Sequence, residues 1–120
     1  MDKKQFIKIG KIIFIILFLT ILIISIYPGN LIGLLIKGDP TTYPGGDKIS
    51  HFIAYFVLSV FGYYFYQDKF KISLIFIFLI IFSISMELLH LIIPNRFYEN
   101  LDLMMNCLGV ISPLIFLRRF

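Results

Sequence analysis

Ionisable and amide side chains set inside membrane-length apolar runs constrain this chain more than any other feature. Asp47, Lys48, His51, Tyr55, Glu87, His90, Asp102 and Asn106 interrupt stretches dominated by Ile, Leu and Phe, in a sequence that is 59% hydrophobic with a mean hydropathy of +0.93. A charged residue at the centre of a membrane helix costs about 2.5–3.5 kcal/mol to insert. Such residues persist where they satisfy one another, so the pattern predicts one shared polar site.

Composition narrows the class. A chain of 120 residues with 14 Phe, 7 Tyr and no Trp, and with this hydropathy, lies outside the soluble globular range and predicts a single polytopic membrane domain over residues 1–120. The lone Cys107 excludes an intramolecular disulfide and a thiolate zinc site. The formal charge of +4 comes without a basic patch interleaved with aromatics, so no nucleic-acid partner is expected.

Four apolar stretches, at about residues 9–27, 48–66, 72–93 and 100–117, predict an all-α, four-transmembrane-helix up-and-down bundle. No small-x-small pattern follows the first stretch, which predicts an uncleaved span rather than a signal peptide. Pro113 predicts a kink in the fourth. The connection from Pro28 to Asp47, rich in Pro and Gly, reads as mostly irregular, with a short apolar run at 31–36 that lies at the interface or against the bundle. Lys3, Lys4, Lys8, Lys11, Lys69, Lys71, Arg118 and Arg119 fall on one side of such a bundle, against Lys37, Lys48 and Arg96 on the other. That asymmetry predicts both termini in the cytoplasm.

Helical spacing then organises the polar residues. Asp47, His51 and Tyr55 recur at i, i+4 and i+8. Ser83, Glu87, His90 and Pro94 form a second stripe, and Asp102, Asn106, Gly109 and Pro113 a third. All three fall near the outer ends of their helices, predicting an extracytoplasmic pocket with Lys48 and Arg96 at its rim. Glu87 reads either as a functional carboxylate or as a structural one bonded to Asn106 or His51. Arg96 reads as an anion contact or as the partner of Glu99 or Asp102 in a rim salt bridge. Asp47 reads equally as the N-cap of the second helix. Imidazole and carboxylate suit zinc or iron. With no compact ligand motif in the sequence, however, no metal and no cofactor are predicted.

Asp47-Lys48-x-x-His51-x-x-x-Tyr55-Phe56, then Glu87-Leu88-Leu89-His90-x-x-x-Pro94-x-Arg96, then Asp102-x-x-x-Asn106-x-x-Gly109 together resemble the signatures of VanZ-like membrane proteins. The resemblance covers roughly residues 28–117. The chain differs at His90, where the family usually carries Gln. The resemblance implies a multi-pass protein of the bacterial inner membrane, in a family whose founding member is associated with low-level resistance to teicoplanin. The function expected on these grounds is binding of a lipid- or glycan-linked, anionic head group at the cell envelope. The alternative is a membrane-embedded hydrolase or transferase with His51 or Glu87 as base. No nucleophile is evident beside either residue, so the sequence leans away from an enzyme, and the apolar inner halves of the helices argue against a proton-coupled carrier.

Overall fold

The computed structural model describes residues 1–43 and 48–116, so Asp47 lies outside the described residues. The secondary-structure elements of the described residues are all helices: α1 (Lys3–Ile26), α2 (Leu31–Lys37), α3 (Lys48–Tyr66), α4 (Ile72–Leu88) continued by a 3₁₀ turn (Leu89–Leu91), α5 (Asn100–Ile111) and α6 (Pro113–Phe116). Three of these, Lys3–Ile26, Lys48–Tyr66 and Ile72–Leu91, are long and apolar enough to cross a membrane. At 1.5 Å per residue they reach about 28–36 Å. Asn100–Phe116 is a shorter apolar helix.

Polarity is inverted relative to a soluble protein. The outward faces carry Ile12, Ile16, Leu19 and Ile23 on α1 and Ile77, Phe78 and Ile81 on α4, all exposed. The buried positions include Ser59, Ser83, Glu87, His90, Asp102 and Asn106. Exposed aliphatic faces around a polar interior suit a hydrocarbon surround, where backbone groups are satisfied within the helices.

Local chemistry sets the helix boundaries. The first helix begins earlier than the apolar run suggests, because Asp2 and Gln5 form a capping box: the Gln5 amide donates to Asp2 Oδ1 at 2.7 Å and the Asp2 amide to Gln5 Oε1 at 3.1 Å. The 31–36 run, expected within a mostly irregular connection, is a true helix. Asn30 caps it through the Gly33 amide, and Gly38 ends it at φ 69°.

The α-helix expected to run to residue 93 stops at Leu88 and tightens into the 3₁₀ turn. Pro94 disfavours helical geometry at the preceding residue, and Asn95 turns the chain at φ 62°. Pro94 therefore falls off the stripe shared by Ser83, Glu87 and His90. Pro113 divides the last helix at Ser112, leaving α5 and α6 as separate segments.

The central contact is α3 against α5. A Cβ placed on Gly109 would lie 2.5 Å from the Phe52 carbonyl oxygen and 3.1 Å from Tyr55 Cβ, so only glycine lets the two backbones approach this closely. The Ser59 hydroxyl crosses the same seam to the Val110 carbonyl at 2.7 Å. Helix α1 packs on α3 and α4 through aromatics: Phe18 stacks on Phe82 with centroids 4.3 Å apart, and Phe14 meets the Tyr66 edge at 5.1 Å. In the first half of α1, Lys11 pairs with Asp68 at 3.0 Å, and its hydrogen bond, aided by its charge, holds the exposed Asp68 carboxyl below the usual carboxylate range.

Candidate functional site

The N-terminus of α3, the C-terminus of α4 with its 3₁₀ turn, and the N-terminus of α5 meet at one end of the molecule. Their polar side chains form a continuous network there. Asn106, 1% exposed, donates from Nδ2 to the Ser83 carbonyl at 3.3 Å. A carbonyl only accepts, so the Asn106 oxygen is the atom that faces His51 Nδ1, at 2.9 Å. His51 therefore carries its proton on Nδ1. Its Nε2 is turned toward Asp102 Oδ2, 3.9 Å away.

Glu87 is completely buried. Its Oε1 accepts the Glu99 backbone amide at 3.3 Å. Its Oε2 lies 3.2 Å from His90 Nδ1, within ion-pair distance, yet neither atom makes a hydrogen bond of good geometry. The other ring nitrogen of His90 donates to the Ser25 carbonyl at 3.2 Å, which requires a proton on Nε2. The expected bonds from Glu87 to Asn106 or His51 are not formed. Those two residues bond each other, and Glu87 faces His90 and the Glu99 amide instead.

Lys48 supplies the cation. Its ammonium pairs with Glu99 and sits 2.9 Å from Asp102 Oδ1. Glu99 is the member of this network that sequence reasoning did not assign to the site. Its signal was an acidic residue three positions before Asp102, at the start of a helix whose N-terminus favours negative charge.

Arg96 does not form the expected rim salt bridge. No salt bridge joins it to Glu99 or Asp102 among the described residues, because Lys48 holds both carboxylates. Arg96 Nη1 instead donates to the carbonyls of Ile24 and Gly29, each at 2.9 Å, with Tyr27 at 3.5 Å. With His90 on Ser25, it satisfies the terminal carbonyls of α1 and complements the negative end of that helix dipole. Burial pulls the Arg96 guanidinium below its ordinary pKa, while Glu87 and Asp102 favour its charged form.

Tyr55 lies in the apolar core, 3% exposed, with its ring centroid 6.1 Å from that of Phe82. Cys107 is a half-buried free thiol. The expected site residues that come together are thus Lys48, His51, Glu87, His90, Asp102 and Asn106, with Arg96 beside them and Tyr55 beneath.

A cavity of about 290 Å³ opens at this end, lined by His51, His90, Arg96, Glu99 and Asp102 together with Thr41 and Thr42 of the α2–α3 connection. A larger groove of about 390 Å³ lies elsewhere, between Phe14, Tyr66, Phe70 and Leu74. Its walls are almost wholly apolar, so it offers space without chemistry. Comparison with protein-family models, with curated proteins and with solved structures yields no match.

The Lys48–Asp102 pair should behave as a coupled unit. Lys48→Met leaves two carboxylates facing each other in a mostly enclosed site, whereas Lys48→Met with Asp102→Asn relieves that repulsion. Unfolding of detergent-solubilised protein in a double-mutant cycle is expected to give a coupling of about 1–3 kcal/mol. Additive single effects would show that the pair contributes nothing.

Proposed function

We propose that this chain is a VanZ-like, four-span protein of the bacterial inner membrane whose polar pocket faces the outside and binds an anionic, lipid- or glycan-linked head group. The observation that carries this reading is the cavity itself. It is bounded by the Arg96 guanidinium, two imidazoles and the Glu99 and Asp102 side chains, both paired with Lys48, at one end of a molecule whose flanks are aliphatic.

Arg96 gives its hydrogen bonds among the described residues through Nη1, so Nε and Nη2 remain to meet a phosphate or carboxylate as a fork. Thr41 and Thr42 add short polar side chains on the wall formed by the connection. Asn100–Phe116 serves as the fourth span, with Asp102 and Asn106 sheltered by α3 and α4. The excess of Lys and Arg on the opposite side sets the orientation. The resemblance to VanZ-like proteins supports a role at the cell envelope related to teicoplanin-type glycopeptides.

The orientation has a direct test. In a Cys107→Ser background, a cysteine at Thr41 is expected to react with a membrane-impermeant maleimide in intact cells, and one at Lys69 only after permeabilisation. The reverse pattern would place the pocket in the cytoplasm and end the envelope reading.

One observation favours a second reading. Asn106 fixes the His51 proton on Nδ1, which leaves Nε2 as an acceptor, and His51 lines the cavity. In its neutral form such a ring can serve as a general base, here on an envelope lipid or glycan. Glu87, fully buried and absent from the cavity wall, does not fit that part.

Native mass spectrometry of gently extracted protein tests both. The binding reading expects a phosphate-bearing lipid adduct on the wild type, weakened in Arg96→Gln. The catalytic reading expects product on the wild type and unreacted substrate on His51→Gln. A bare protein mass, under conditions where other membrane proteins keep lipid, would contradict both.

A further inference from the structure

Three metal-ligand side chains converge from three different helices. His51 of α3, Glu87 of α4 and Asp102 of α5 each offer an atom, and these atoms all lie within 4.8 Å of one another. Other polar atoms of each residue face a neighbouring partner, although Asp102 Oδ1 meets its partner as an ion pair without hydrogen-bond geometry. His51 commits Nδ1–H to Asn106, so the neutral ring offers its lone pair at Nε2. Asp102 gives Oδ1 to Lys48 and turns Oδ2 toward that same Nε2. Glu87, with no exposed surface, gives Oε1 to the Glu99 amide, and its Oε2 makes no hydrogen bond.

We propose that this cluster is a binding site for a divalent transition-metal ion, zinc foremost, held by His51 Nε2, Asp102 Oδ2 and a Glu87 carboxylate oxygen. The inference rests on the three side chains and is independent of the head-group reading. Imidazole nitrogen with carboxylate oxygen is a borderline donor set that suits zinc better than calcium or magnesium, which take all-oxygen shells.

Charge argues the same way. Glu87, Asp102 and Glu99 bring three carboxylates to this end against the Lys48 ammonium and the Arg96 guanidinium, and a divalent ion offsets that excess of carboxylates. Bonds of about 2.0–2.2 Å to a tetrahedral ion would set the ligand atoms about 3.3–3.6 Å apart. The observed group is open by roughly an ångström relative to that spacing, a gap that small side-chain rotations close.

Each ligand also has an outer partner of the kind that orients metal ligands: Asn106 on His51, Lys48 on Asp102, the Glu99 amide on Glu87. Three protein ligands leave a fourth position for water or an anion, and His51 and Asp102 both line the cavity. No compact ligand motif marks the site in the linear sequence, because each helix contributes one ligand.

Purified protein, stripped with chelator and dialysed against micromolar zinc, is the material for the test, with metal counted by mass spectrometry and folding checked by helical circular dichroism. The wild type is expected to hold about one zinc per chain. His51→Ala and Asp102→Asn should lose it, and Asn106→Leu should weaken binding roughly 10–100-fold by releasing the imidazole. His90→Gln removes no ligand atom and should retain the metal. X-ray absorption at the zinc edge of the wild type needs no variant, and should show one imidazole with the rest nitrogen or oxygen. A wild type that takes up no zinc, full retention in a folded His51→Ala, or sulfur scattering from Cys107 would each overturn the assignment.

Discussion

A carboxyl group with no access to solvent, at the junction of helices whose outer faces are aliphatic, is the constraint that organises this protein. Leaving Glu87 unpaired in such surroundings would cost several kcal/mol. The neighbouring elements are arranged to prevent that. The Glu99 amide reaches one oxygen and the His90 ring faces the other. The turn after α4 must therefore fold back over the helix end, and α5 must start where its first residues can meet both Glu87 and Lys48. The close seam of α3 on α5 at Gly109 holds those parties in register.

The same end of the molecule solves a second problem. Helix α1 finishes with carbonyls that have no partner within the helix. In a membrane protein water is not always there to take them. His90 and Arg96, from the α4–α5 connection, bond Ser25, Ile24 and Gly29. His90 is thus shared between the Glu87 carboxylate and the α1 terminus. The docking of α1 and the electrostatics of the polar cluster are consequently linked through one imidazole.

Much of this was legible in the sequence, for a definite reason. A helical period of 3.6 places residues four apart on one face, so His51, Glu87, Asp102 and Asn106 could be assigned to inward stripes and to one end of their helices, with Lys48 at the rim. What was not legible lies where that periodicity ends. Arg96 follows Pro94 and a left-handed Asn95, and its direction depends on a turn that no helical wheel describes. Glu99 acts partly through its backbone amide, which carries no sequence signal at all. The helix at 31–37 was hidden by its brevity, although Asn30 and Gly38 marked both of its ends. Pairing choices were also beyond reach: spacing brings Asn106, His51 and Glu87 to one end of the bundle, but only the Ser83 carbonyl decides which way the Asn106 amide points and so which atom His51 meets.

That last choice fixes the chemistry of the site. A neutral imidazole held by Asn106 through Nδ1–H presents its Nε2 lone pair to Asp102 and to the cavity, whether for a metal, a proton or a ligand. Solid-state NMR of ¹⁵N-labelled protein in lipid bilayers reads this directly. The account predicts a neutral His51 protonated at Nδ1, with a through-space correlation to the Asn106 side chain. A His51 protonated at Nε2 and showing no contact with Asn106 would contradict it, because the three polar stripes would then not share one interior.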